Sequence, residues 1–121
     1  MNTVELVIDG LQIPSWNKIY SSPNWGKRKG IVDAVHEHVK LCVNTQPDIV
    51  MFSGLVDIVV ECYYRTNVRP DSDNVCIKLV IDPLRGYYIK DDNWRYVRYT
   101  TSASLLDRNF PRTVIRITEV A

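Results

Sequence analysis

The sequence predicts an α/β (α+β) fold, with a mixed β-sheet and two main helices packed on one face of it. Three observations carry that expectation. Two stretches, Val4–Ile8 and Val56–Tyr64, alternate with the period of a strand. Between them Ile31, Val35, Val39 and Cys42 recur at helical spacing. After the second strand a shorter apolar helical pattern precedes further strand-like segments, giving the order βαβα and then strands.

Taken along the chain, Val4, Leu6 and Ile8 share one strand face, and Gly10 ends the strand. Residues Ile13 to Trp25 carry two prolines and several serine, asparagine and aromatic positions, which predicts a long structured loop. An amphipathic helix is expected over about residues 27–43, with Pro47 beyond it as a breaker. Val56, Ile58, Val60, Cys62 and Tyr64 form a strand rich in β-branched and aromatic residues. A loop over Asn67–Pro70 leads to a second helix, capped by Asp71 or Ser72 and running through Val75, Leu79 and Ile81. Pro83 stops it, because the residue before a proline avoids helical backbone angles. Tyr87–Ile89 is expected as a short strand, and Trp94–Thr101 and Arg112–Glu119 as two more.

The chain has 121 residues, 45% of them hydrophobic and 24% charged, which fits one soluble domain spanning residues 1–121. No apolar run approaches the ~18 residues that span a bilayer. The start, MNTVELVIDG, lacks the pattern of a secretory signal, so a cytoplasmic location is expected. Cys42, Cys62 and Cys76 are widely spaced and odd in number, which excludes a disulfide framework and predicts buried thiols. His36 and His38, two apart on a helix, do not form a metal pair and are expected at the surface. There is no nucleophile elbow and no phosphate-binding Gly-rich loop. The net charge is only +1, yet Lys27, Arg28 and Lys29 are consecutive, Arg65 and Arg69 precede one acidic segment, and Lys90, Arg95 and Arg98 surround another. Charge alone leaves these as ordinary solvated residues or as a phosphate-facing surface.

The two acidic segments are Asp71-Ser72-Asp73-Asn74 and Asp91-Asp92-Asn93. A strand–helix–strand excursion separates them and can bring both to one end of the sheet. Converging carboxylates repel, and a divalent cation is the usual reason for their convergence. Mg²⁺ takes oxygen ligands, commonly one or two carboxylates, and can activate water against a phosphodiester. The plainer readings stand beside this one: Asp71 as a helix cap, Asp91 to Asn93 as a polar turn. An EF-hand loop is excluded, because Val75 and Cys76 occupy the positions that need an oxygen ligand and a glycine.

The stretch RPDSDNVCIKLVIDPL, followed by YYIKDDNWRYV, resembles the core signature of RusA-type Holliday junction resolvases. Pro14, Ser15, Asn17 and Tyr20 resemble the family's N-terminal element. The resemblance implies a RusA-like nuclease domain and a homodimeric, Mg²⁺-dependent endonuclease, with Mn²⁺ able to substitute. It implies resolution of four-way DNA junctions by paired symmetric nicks and, for many members, a phage or prophage origin, hence action in a bacterial or phage-infected cell. Asp71, Asp73 and Asp92 become the catalytic and metal-binding positions, Lys78 the catalytic lysine, and Asp91 a neighbour. Lys18, Lys27, Arg28, Lys29 and Arg69 are the expected DNA-backbone contacts. Lys78 lies five residues after Asp73, one more than in the usual pattern, which on a continuous helix turns it by about 100°. Two rivals remain: a nuclease of the same fold acting on flaps, single strands or other branched DNA, and a DNA-binding module that does not cleave. A binder gains nothing from three anionic groups near phosphate.

Overall fold

Four strands, β1 (Thr3–Asp9), β2 (Val56–Tyr64), β3 (Val97–Leu106) and β4 (Arg112–Glu119), form one sheet in the order β1-β4-β2-β3. Strand β4 is antiparallel to β1 and β2, whereas β3 is parallel to β2, so the sheet is mixed. The computed structural model describes residues 2–21 and 24–121; Ser22 and Pro23, within the expected loop, lie outside the described residues. The helices are α1 (Trp16–Tyr20), α2 (Trp25–Asn44) and α3 (Lys78–Ile81), the last continued by a 3₁₀ turn over Asp82–Leu84.

The strand periodicity accounts for the layering. Every second residue of β2, from Val56 to Tyr64, is buried, and these side chains share one core with Leu6, Ile8, Ile115 and Ile117. Val35, Val39 and Val43 of α2 and Leu79 and Val80 of α3 close that core from the helical side. The other sheet face sets ion pairs among apolar residues such as Val59 and Val114: Arg116 bridges Glu5 at 2.8 Å and also pairs with Glu61. Arg112 lies 3.8 Å from the centre of the Tyr63 ring.

Strands β1, β2 and β4 and the long helix fall where the sequence places them, to within a few residues. Four local expectations are corrected. The second helix is not continuous: Ser72–Asn74 form a 3₁₀ turn, Val75 is extended with ψ 121°, and α3 begins only at Lys78. Val75 leaves the helix because it pairs with Ser15 in a β-bridge, and Cys76 N–H donates to the Pro14 carbonyl at 3.1 Å. Residues Tyr87–Ile89 are a turn rather than a strand; Gly86, at φ +83°, donates its N–H to the Ile89 carbonyl. Strand β3 starts later and runs longer than expected, since Asn93 accepts from the N–H groups of Tyr96 and Val97 and holds Trp94–Tyr96 in a turn. The loop before α2 contains α1, capped by Ser15, whose hydroxyl accepts the Lys18 N–H at 3.0 Å.

Among the side chains, Cys62 and Cys76 are buried as expected, but Cys42 is only partly buried. Burial pushes the Cys76 thiol up to about 11. Neither histidine is a fully solvated surface residue: burial lowers the pKa of His36, and His38 Nε2 lies 3.0 Å from the Asp9 carbonyl.

The Ile13–Ser15 segment matters for the site, and Tyr64 ties it down. The buried Tyr64 hydroxyl donates to the Ile13 carbonyl at 2.6 Å. Tyr64→Phe should therefore leave a buried carbonyl without its partner. The expected cost is about 1–3 kcal/mol of folding free energy, read from the urea midpoint at unchanged slope. A change below a few tenths would mean that water replaces the hydroxyl.

Candidate active site

A parallel crossover enters β3 at the end of the sheet opposite the one at which β2 left it. On topology alone, Asp73 after β2 and Asp92 before β3 would lie far apart. They meet because the chain after β2 turns back along β3. Ser102 of β3 donates its hydroxyl proton to the Ser72 carbonyl at 2.5 Å, and Asn74 N–H closes the turn on the Asp71 carbonyl at 2.9 Å. The convergence therefore lies alongside the edge strand, not at the sheet end that the sequence suggested.

The result is a cleft of about 350 Å³. Asp73, Asp82, Asp92 and Lys78 line it, together with Thr100 and Ser102 of β3 and Trp16 of α1. Lys78 Nζ stands 3.3 Å from Asp82 Oδ1 and 3.8 Å from Asp92 Oδ2, so one ammonium serves two carboxylates. The sequence gives Asp82 no role beyond preceding Pro83; its i, i+4 spacing from Lys78 is the signal that could have found it.

Asp71 occupies the cap position of the 3₁₀ turn, but its side chain makes no capping hydrogen bond. It is exposed and does not line the cleft. Asp91 does what a polar turn asks: its carboxylate accepts the Asp92 N–H at 2.8 Å and the Asn93 amide at 3.3 Å. That leaves Asp92 presented to the cleft and Asp91 spent on the turn. Among the described residues, no three acidic, histidine or cysteine side chains close on one point as a ready metal cage. The donors that do line the cleft are carboxylate and hydroxyl oxygens, without thiol or imidazole. That set suits Mg²⁺, which commonly uses one or two protein carboxylates and fills its shell with water and phosphate oxygens.

A second groove adjoins the first. Ser15, Asn17, Lys18, Arg69 and Asn74 line it, so two of the expected DNA contacts share one surface beside Asp73. Arg28 and Lys29 border a separate hollow with Tyr20 and Trp25. Lys29 is paired with Asp33 at 2.6 Å, and Arg98 is held by Asp57 at 2.7 Å. Those two cations are thus partly neutralised within the chain.

A mixed sheet whose edge strand carries a carboxylate-and-lysine cleft, continued by a groove with basic residues, defines a candidate phosphodiester-cleaving domain for nucleic acid. The model of the family "Endodeoxyribonuclease RusA" matches residues 22–118, and the chain belongs to that family. It is accordingly an endodeoxyribonuclease of the Holliday junction resolvase kind. The match includes Asp71, Asp73, Asp82, Asp91, Asp92 and Lys78, while Pro14, Ser15, Asn17 and Tyr20 precede it. The comparison with curated proteins found no match.

Proposed function

We propose that this protein is a Mg²⁺-dependent endonuclease that resolves four-way DNA junctions, as a homodimer, by paired symmetric nicks. The observation that carries the reading is the shared cleft of Asp73, Asp92 and Lys78. Asp73 and Asp92 would hold the cation, with Asp71 free of any capping role and two residues from Asp73. A Mg²⁺ held by these residues would supply a water ligand of lowered pKa and a Lewis acid for the phosphodiester. Lys78 balances negative charge on the phosphate, and Asp91 keeps Asp92 aimed inward. A two-fold dimer would present two equivalent sites to two equivalent strands. Such DNA is handled in the cytoplasm of a bacterium or phage-infected cell, and no helix among the described residues is long and apolar enough to cross a membrane.

The test is cleavage of a synthetic four-way junction beside matched duplex, flap and single-stranded DNA, with Mg²⁺ and with EDTA. Symmetric nicks in the junction, abolished by EDTA, are expected from a particle that light scattering sizes as a dimer. Preferential cutting of flaps or single strands would replace the junction assignment with the same-fold alternative. Binding without cutting would leave only a DNA-binding module.

Lys18 and Arg69 are expected to hold the DNA backbone, with Lys27, Arg28 and Lys29 extending the contact. In the double variant Lys18→Ala, Arg69→Ala, the slope of log affinity against log salt should fall by about two, one per phosphate contact released. A slope equal to that of the unaltered protein would remove this groove from the DNA path.

A further inference from the structure

The cleft carries a second chemistry that neither a phosphate nor a hydrated cation uses. Besides its acids and lysine, its walls include Val75, Ile77, Ile81 and Val97, and the indole of Trp16. The indole is held in place: Ser15 caps the helix that begins with Trp16, and the Tyr20 ring stacks on it at 5.3 Å between centroids, 21° from parallel. Val75, Ile81 and Val97 belong to the core beneath the cleft, whereas Trp16 is only partly buried. An apolar lining with a fixed aromatic ring fits a flat, apolar group attached to a phosphate, and in DNA that group is the base.

Resting on the nuclease reading above, we propose that Trp16 stacks against an unpaired nucleobase next to the phosphate held at Asp73 and Asp92. A base inside a duplex cannot serve, because both its faces are already covered by neighbours. A base at a branch point can. Trp16 would thereby select DNA whose stacking is interrupted and place its phosphate at the carboxylates; it is a substrate-selecting residue of the cleft. The stack on Tyr20 fixes the indole before DNA arrives, so little further ordering is needed on binding.

The experiment compares binding of two four-way junctions by the cleavage-deficient Asp73→Asn protein. One junction has all its bases; the other is abasic at the crossover nucleotides. Stacking of one base on an aromatic ring predicts about tenfold tighter binding of the intact junction. Trp16→Leu in the same background should bring the two affinities within about twofold, whereas Trp16→Phe, which keeps a ring, should retain most of the preference. Tryptophan emission should also be quenched by the intact junction, and Trp16→Phe should remove that quenching although Trp25 and Trp94 remain. Equal affinities in the Asp73→Asn protein, or an undiminished preference in Trp16→Leu, would overturn the assignment. If Trp16→Leu does not fold, the affinity ratio of the Asp73→Asn protein and the quenching comparison decide. Wild-type cleavage of the intact junction, measured in parallel, separates the two levels: cleavage without a base preference sinks only the role of Trp16. Absence of both cleavage and DNA binding sinks the nuclease reading as well.

Discussion

Asp73→Asn is expected to lower Mg²⁺-dependent cleavage at least about a thousandfold while DNA binding persists or tightens. The substitution keeps the side-chain shape and removes one ligand charge from the cleft. The electrostatic help a bound cation gives to phosphodiester hydrolysis amounts to several kcal/mol, and each 1.36 kcal/mol is about tenfold in rate. Asp73 is exposed at the rim of the cleft, on a turn fixed by backbone bonds and by Ser102 rather than by its own carboxylate. The fold should therefore tolerate the amide with almost no change in melting temperature. Affinity rises or holds because a negative charge that repels phosphate is gone. Single-turnover cleavage in saturating Mg²⁺ is the measurement, with binding followed separately. Wild-type rates in this variant would end the metal-ligand role of Asp73.

The parts of the fold that the sequence displays are those set by local periodicity. The alternation of β2 and the apolar stripe of α2 each repeat over many residues, so both elements are found near their predicted bounds. The parts it hides are set by distant contacts. Nothing in Val75-Cys76 announces an extended link, because the partners that impose it are Pro14 and Ser15, some sixty positions earlier. The same applies to the site. The aspartates stand out as two clustered segments, and their resemblance to a family signature gives them roles. The walls around them do not stand out: Val97, Thr100 and Ser102 belong to an edge strand with no motif, and Trp16 is not among the residues that carry the resemblance. The interrupted helix also removes the concern over spacing. With no continuous helix between Asp73 and Lys78, a one-residue shift no longer rotates the lysine away from the acids.

Lys78→Met should reduce cleavage by about 10²–10³-fold with little loss of stability. The sequence places Lys78 within a continuous second helix, five residues after Asp73. In the structure Lys78 is the first residue of α3, and its ammonium lies between Asp82 and Asp92. Its side chain is 52% exposed, so it is not a buried charge in search of a partner. Pairs this exposed contribute about 0–1 kcal/mol to folding. The stability cost of removing the ammonium is correspondingly small, and methionine retains most of the apolar stem. Its effect on a phosphodiester in the cleft is another matter. A positioned cation or donor aimed at charge that develops in the transition state is typically worth about 10²–10³ in turnover. Lys78 is the cation that lines the cleft with Asp73 and Asp92. The measurements are single-turnover cleavage and thermal melting of the same preparation. A large kinetic loss with an unchanged melting temperature is the expected result. Near-normal cleavage would show that the ammonium merely screens Asp82 and Asp92 from one another. A kinetic loss that tracks a lowered melting temperature would point to damage to the fold.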